Sequence, residues 1–305
     1  MYRRKKGQML ERFLSYSKSV RSLSEATVSA YRKDILKFLS YIKNQKINEE
    51  KINLSVARSY IAHLSKSGLS VETINRSLSA LKRFYDYQVR YHGLKVNPFE
   101  NIRSLKRNRK LPNFFFQHEM ENLLSLPGEG FEGSRDRLLL EVLYSTGCRI
   151  SELTGINISS IDIRNGIIRV LGKGKKERFV FLGPPALKSL REYLNFRKER
   201  LCCDDPDAGR ALFLNSRGTR LTNRGAFYII MKYIERAGMI KKASPHTFRH
   251  TFATHVLDRG ADIRVVQEML GHTKLSTTQI YTHIGVEKLK KIYRKAHPHA
   301  KRRDI

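Results

Sequence analysis

The chain is predicted to be mainly α-helical, with an N-terminal four-helix domain and a mixed, mostly helical C-terminal domain that carries a small antiparallel β-sheet. Apolar residues recur at helical spacing through residues 8–95, which predicts four helices. Two short apolar runs, 166–171 and 177–182, are the only clear strand pair in the sequence. A basic run with little apolar periodicity separates the two parts. We therefore predict domains at 1–97 and 113–305, joined by a linker at 98–112.

The balance of charge indicates what kind of partner the chain binds. The 305 residues include 59 Lys and Arg against 28 Asp and Glu, a formal net charge of +31. Residues 1–110 carry +17 of this charge and residues 111–305 carry +14, so both parts are basic. On a chain that is 40% hydrophobic, and so able to build real cores, this charge points to a polyanion. Nucleic acid is the leading candidate.

The N-terminal helices have recognisable boundaries and a basic side. Ser24 is typical of an N-cap and Gly68 of a helix stop, and a fourth helix is predicted from Ser70 to Gly93. Cations off its apolar face, with one residue of the linker, are candidate DNA contacts: Arg76, Lys82, Arg83 and Arg107. Such contacts hold phosphates without reading the sequence, and a basic linker would let both domains close around a duplex. The alternatives are a solvated helix face and an ordinary exposed connector.

The C-terminal domain is predicted to place one β-hairpin among helices. A strongly apolar helix spans 134–145 and is broken at Gly147, and a new helical turn begins at Arg149. The two predicted strands are joined by a cationic tip at 172–176. Further helices are predicted near 185–200, 222–237, 245–258, 262–270, 277–284 and 287–295.

One helix start has the residues of an anion site. His246 and Arg249 stand three residues apart, so both side chains can project from one face of the helix. Pro245 suits the first helical position, and the free N–H groups of a helix N-terminus favour an anion. A phosphate would fit this corner, although a His and Arg at this spacing also occur as a surface pair.

Two other motifs resemble an ATP site and a zinc site but lack residues that those sites require. The sequence GKGKK at 172–176 lacks the spacing of a phosphate-binding P-loop and joins two strands, so we expect no ATP site. His246 and His250 have the spacing of zinc ligands but enclose an arginine where zinc proteases have a glutamate, so we expect no metal.

The sequence also indicates a compartment. Its three cysteines, Cys148, Cys202 and Cys203, suit neither a disulfide framework nor a zinc site. The basic N-terminus is not followed by an apolar signal core, and no run of about 18 apolar residues occurs. We expect a cytoplasmic protein without a membrane span.

Four stretches together resemble the tyrosine recombinases, a phage-integrase-like family, and within it the bacterial Xer branch of XerC- and XerD-like site-specific recombinases. They are TGCRISEL at 146–153, GKGKKER at 172–178, PHTFRHTFATH at 245–255, and the long block 260–283. The resemblance covers nearly the whole chain. It implies a SAM-like, core-binding N-terminal domain and a tyrosine-recombinase catalytic domain.

The resemblance also implies a catalytic set, whose members match family positions residue by residue: Arg149, Lys173, His246, Arg249, His272 and Tyr281. Tyr281 would attack the scissile phosphate and form a 3′-phosphotyrosine, so that neither ATP nor a metal is required. The two arginines would hold the nonbridging oxygens, and Lys173 would protonate the leaving 5′-oxygen. His246 and His272 would assist proton movement or phosphate binding. Glu152 would orient Arg149, or else form an ordinary exposed pair with it.

The resemblance implies four protomers on two double-stranded DNA sites, exchange through a Holliday junction, and resolution of chromosome dimers at a dif-like site during chromosome segregation. A paired Xer recombinase and a septal DNA translocase are the implied partners. The C-terminal helix at 287–295 would pack into the neighbouring protomer or, alternatively, dock on its own chain. A mobile-element or phage integrase, a non-catalytic DNA-binding accessory protein and a type IB topoisomerase remain alternatives.

Overall fold

The structure, a computed structural model, describes residues 2–48, 52–106, 113–172, 176–202, 204–239, 243–271 and 283–300. It divides into two compact units, Met1–Lys110 and Leu111–Ile305. Both units are mostly helical and the second contains a three-stranded antiparallel sheet, which confirms the predicted fold class. Among the described helices, none is long and apolar enough to cross a membrane.

The first unit contains the four predicted helices. They are α1 (Tyr2–Ser19), α2 (Glu25–Asn44), α3 (Leu54–Lys66) and α4 (Val71–His92). The hydroxyl of Ser24 accepts a hydrogen bond from the backbone N–H of Thr27 at 3.3 Å, which confirms the predicted N-cap of α2. Gly93 ends α4 in the left-handed conformation, as predicted.

The core of the first unit extends past its last helix. Phe99 is fully buried, and its ring meets that of Phe38 edge-on at 5.1 Å. The side chain of Asn75 donates to the backbone O of Leu105 at 3.0 Å and accepts from its N–H at 2.8 Å. Part of the segment assigned to the linker, 98–106, therefore packs on the bundle, and 107–112 lies outside the described residues.

The candidate DNA-binding cations of α4 have partners within the unit. Arg76 makes two hydrogen bonds to the buried carboxylate of Asp34, at 2.9 and 3.1 Å. Lys82 donates to the backbone O of Glu100 at 2.9 Å, and the guanidinium of Arg83 lies 5.8 Å from the ring centre of Tyr31. These contacts fix the positions of the three side chains within the unit, and the remaining candidate, Arg107, lies outside the described residues.

The second unit is built around one buried helix. Its elements are α5 (Gln117–Ser125), α6 (Gly130–Thr146), α7 (Ile150–Thr154), β1 (Ile161–Asp162), β2 (Ile167–Leu171), β3 (Glu177–Phe181), α8 (Pro184–Arg200), α9 (Pro206–Arg210), α10 (Asn223–Arg236), α11 (Pro245–Asp258), α12 (Ile263–Leu270) and α13 (His283–Ala296). Residues on all sides of α6 are buried, which explains why the apolar residues of its second half do not keep to one face. Sequence reasoning missed α5, α9 and β1.

Strands β2 and β3 of the sheet form the predicted hairpin, whose tip begins at Gly172. Strand β2 pairs with both β1 and β3, and Val170 lies opposite Arg178. The base of the hairpin is closed by a 2.7 Å hydrogen bond from the N–H of Gly172 to the backbone O of Lys176. The described part of the turn is therefore fixed on both sides of residues 173–175.

The C-terminal helix packs on its own unit in this single chain. Leu289 and Tyr293 of α13 are buried in a cluster with Phe252 and Met269. The following residue His297 is fully buried, and its Nε2 donates to the backbone O of Tyr144 at 3.1 Å. Of the two dockings that the sequence left open, the isolated chain adopts the intramolecular one.

Candidate active site

Arg149 stands at the N-terminus of α7, where Glu152 holds it. One carboxylate oxygen of Glu152 accepts from the backbone N–H of Arg149 and the other accepts from Nη1 of its guanidinium, both at 2.8 Å. The side chain of Arg149 is 36% exposed, whereas that of Glu152 is 2% exposed. The buried carboxylate therefore fixes the guanidinium and leaves part of it exposed to a ligand.

Arg249 projects from the first turns of α11 and is fixed by two carbonyl groups. Its Nη1 donates to the backbone O of Gly147 at 2.9 Å, and its Nη2 donates to the backbone O of Leu270. Burial, and then the nearby charges of Arg149 and Arg178, lower the pKa of Arg249 to about 10. At neutral pH its guanidinium is still charged, and a bound anion would relieve the repulsion among the three cations.

Gly147 is needed at the point where these segments meet. It ends α6 with φ of +58°, in the left-handed region that favours glycine. A Cβ at this position would lie 2.8 Å from Leu270 and 2.9 Å from Phe252, too close for either side chain. The glycine therefore lets α11 and α12 pack closely against the end of α6 while its carbonyl reaches Arg249.

The start of α11 matches the prediction in detail, including its first residue, Pro245. The hydroxyl of Thr247 accepts from the backbone N–H of Ser244 at 2.9 Å, which fixes the first turn. His246 is exposed there, one turn before His250. His250 keeps an exposed surface, but the partial burial of its ring, followed by the charges of His246 and Arg249, lowers its pKa. Within the described ranges, no three His, Cys, Asp or Glu residues come together in the manner of a metal site.

Three members of the predicted set, Lys173, His272 and Tyr281, lie outside the described residues. The residues directly before two of them are described and meet at one place. A Cβ on Gly172 would lie 3.5 Å from both Glu152 and Arg178, and a Cβ on Gly271 would lie 3.1 Å from Arg178. The segments that carry Lys173 and His272 therefore both begin beside the Glu152 and Arg178 pair.

Arg178 is the residue of this site that sequence reasoning missed. Its side chain is 4% exposed, its Nη2 donates to Glu152 at 2.8 Å, and its Nε donates to the backbone O of Met269 at 3.0 Å. The available signal was the two-residue period of β3, because Arg178 shares a face with the buried Val180. A cation on an apolar face implies a buried partner.

Cys148, next to Arg149, is buried, as predicted for a small hydrophobic residue. Burial raises the pKa of its thiol to about 11. It stays a neutral thiol at physiological pH and is unsuited to act as a nucleophile.

The chain matches two family models and many curated proteins. Residues 113–288 match the phage integrase family, and residues 10–92 match the phage integrase N-terminal SAM-like domain. The chain is 41% identical over 303 residues to a tyrosine recombinase XerC of Treponema denticola, covering 96% of this chain and 99% of the relative. It is 42% identical over 301 residues to a XerC of Pelotomaculum thermopropionicum, covering 96% and 98%.

Solved structures show the same fold. The XerH site-specific recombinase bound to palindromic difH substrate, in a post-cleavage complex, superposes with a TM-score of 0.70 at 25% identity, covering 92% of this chain and 83% of that one. The Tn1549 transposon integrase with circular intermediate DNA gives 0.70 at 20% identity, covering 92% and 98%. The predicted SAM-like N-terminal domain is confirmed. The chain belongs to the phage integrase family of tyrosine recombinases, enzymes that cleave and rejoin DNA.

Proposed function

We propose that this chain is a site-specific recombinase in which Tyr281 attacks a DNA phosphate and forms a 3′-phosphotyrosine. The observation that carries the proposal is the pair of neighbouring guanidiniums, Arg149 and Arg249, each fixed by its own partners. Glu152 orients the first, and the carbonyls of Gly147 and Leu270 orient the second. Two fixed forks match the oxygens of a phosphodiester and stay charged as negative charge grows in the transition state.

The other catalytic roles that we propose are those implied by the family resemblance, and they meet the proton requirements of the step. The tyrosine hydroxyl loses its proton as its oxygen bonds to phosphorus, and the leaving 5′-oxygen gains a proton as its bond to phosphorus breaks. Lys173 is the proposed donor to the leaving oxygen, and His246 and His272 assist proton movement or phosphate binding. The covalent bond conserves the energy of the phosphodiester, so rejoining requires neither ATP nor a metal.

The proposed substrate is a pair of double-stranded DNA sites bound by four protomers. Strands would be exchanged in two steps through a Holliday junction. The basic side of α4, with Arg76, Lys82 and Arg83, and the linker residue Arg107 would contribute phosphate contacts. Release of α13 from its own unit, and its docking on a neighbour, would link the protomers.

The biological role we propose is resolution of chromosome dimers at a dif-like site during chromosome segregation, in the cytoplasm. Relatives about 40% identical over 96% of this chain are XerC recombinases, and the XerH structure holds difH substrate. A second Xer subunit and a septal DNA translocase are the proposed partners. This role is separate from the chemistry and is tested separately.

The test traps the covalent intermediate. A nicked duplex carrying the host's dif-like site would be incubated with the native chain, with Tyr281→Phe, and with Tyr91→Phe as a control at an exposed tyrosine of the first unit. We expect a protein band linked to the 3′ side of the break with the native chain and the control, and no band with Tyr281→Phe.

Other outcomes have definite meanings. A band that persists in Tyr281→Phe would refute the assigned nucleophile. Specific binding without a band, even after the second subunit is added, would indicate the non-catalytic accessory protein. Cleavage and relaxation on a single site, with no requirement for a pair, would indicate a type IB topoisomerase. Reaction only on the ends of a mobile element would indicate an integrase.

A further inference from the structure

Arg178 connects the parts of the site that come from distant stretches of sequence. It lies on β3, yet it contacts the carboxylate of Glu152 in α7 and the backbone O of Met269 near the carboxyl end of α12. We infer that Arg178 is a positioning residue for DNA cleavage. It acts through Glu152 on Arg149, and it lies against Gly172 and Gly271, the last described residues before Lys173 and His272. The inference rests on the catalytic roles proposed above.

The first connection runs through one carboxylate. Glu152 accepts three hydrogen bonds, two from Arg149 and one from Arg178. Burial raises the pKa of Glu152, but the hydrogen bond and charge of Arg178, together with the hydrogen bonds from Arg149, outweigh it and leave the pKa below its ordinary value. Without Arg178 the buried carboxylate would gain a proton more readily. A protonated carboxyl group has no negative charge, so its hydrogen bonds to Arg149 would be weaker.

The second connection runs through the two segments. Arg178 Nε donates to the backbone O of Met269, directly before the Leu270 carbonyl that receives Arg249. Gly271 follows, and a Cβ there would lie 3.1 Å from the Cδ of Arg178. On the hairpin side, Gly172 would place a Cβ 3.5 Å from Arg178 Nη1. The described starts of both segments therefore lie close against one planar guanidinium.

A second buried arginine of the same unit, Arg197, has no hydrogen bond to a catalytic residue within the described part of the chain and serves as a comparison for Arg178. Arg197 of α8 is also almost fully buried, and its guanidinium donates hydrogen bonds to backbone carbonyls, among them those of Ala208 and Ala211. It supports the fold around α9 and has no bond to Glu152 among those the structure gives for it. Comparing variants of Arg197 and Arg178 therefore distinguishes support of the fold from positioning of the catalytic residues.

The test compares Arg178→Met, Arg178→Lys and Arg197→Met in the full chain. DNA binding, thermal unfolding and the single-turnover rate of covalent complex formation would be measured from pH 6 to pH 9. We expect Arg178→Met to bind DNA within about threefold of the native chain and to cleave about 100-fold more slowly, the effect of a displacement of about 1 Å. We expect Arg197→Met to lose thermal stability to a similar degree but to cleave at the native rate at temperatures where it is folded.

The pH profile gives a readout that a merely structural role would not move. The native rate should show no contribution from Glu152 in this range, because its pKa is held low. In Arg178→Met the pKa of Glu152 should rise, because burial is then opposed by fewer contacts, so the residual rate should fall at the acid end of the range relative to the native chain and rise with pH. Glu152→Gln combined with Arg178→Met should remove that rise. Arg178→Lys keeps the charge and should restore the native shape of the profile, though not the full rate.

The outcomes distinguish this inference from the proposed function. Native-like cleavage with a native pH profile in Arg178→Met would overturn the positioning role and leave the proposed function standing. An equal loss of cleavage in folded Arg197→Met would also overturn it, because any buried arginine would then have the same effect. If the native chain formed no Tyr281-dependent covalent complex, the proposed function would fail and the inference with it.

Discussion

Replacing Gly147 by alanine should destabilise the second unit and slow DNA cleavage. The added methyl group meets two obstacles at once. The backbone has φ of +58°, where an L-residue costs about 1–2 kcal/mol relative to glycine. The Cβ would also lie 2.8 Å from Leu270 and 2.9 Å from Phe252, contacts that force both side chains to move.

The expected size follows from these two effects. Overpacking a core costs about 1–3 kcal/mol, so the total loss in the free energy of unfolding should be about 2–5 kcal/mol. For a unit of this size, each kcal/mol lowers the unfolding midpoint by about 2–4 °C. Because the Gly147 carbonyl accepts from Arg249 at 2.9 Å, a shift of the backbone should also displace that guanidinium and lower the cleavage rate.

Gly260→Ala is the matched control. Gly260 also has a positive φ, +83°, and also follows a helix of the second unit, but a Cβ there would meet nothing within 4 Å. It should show the backbone cost alone, about 1–2 kcal/mol, with native cleavage. The assay is thermal unfolding of both variants, with single-turnover cleavage measured well below both midpoints. Equal losses of stability in the two variants would refute the packing argument, and native cleavage by Gly147→Ala would refute the link to Arg249.

Two further predictions concern two buried side chains of the second unit, His297 and Thr251. Burial lowers the pKa of His297 well below 6.5, so the unfolded chain binds a proton that the folded chain does not, and stability should fall as pH drops below about 6.5. His297→Gln, which can still donate to Tyr144, should show a shallower loss between pH 7 and pH 5 in thermal unfolding, and an unchanged slope would contradict the assignment. Thr251 accepts from the backbone N–H of Phe115 at 2.9 Å, so Thr251→Val should cost about 1–3 kcal/mol by leaving that buried group unpaired. Thr251→Ser keeps the hydroxyl and should lose much less in urea unfolding; equal losses would exclude the hydrogen bond as the cause.

The sequence predicted helices best where one local signal marks their ends. Ser24, Gly93 and Pro245 each fix a helix boundary through their own backbone or side-chain chemistry, and the structure places those boundaries as predicted. It missed α9 and β1, which are too short to show a period. It also placed 98–106 in the linker, because the buried positions there, Phe99 and Ile102, are too few to stand out among cations.

The sequence by itself determined the fold class, the basic character of both units and the residues that match the recombinase motifs, because these depend on composition, periodicity and order along the chain. Only the tertiary structure decided that Glu152 is shared between Arg149 and Arg178, and that Arg249 is held by carbonyls at the ends of α6 and α12. Apart from the local pair of Arg149 and Glu152, which the sequence anticipated, these contacts join residues that are far apart in sequence. A buried charge finds its partner by the packing of whole elements, and no local pattern records which carboxylate or carbonyl group that packing brings within reach.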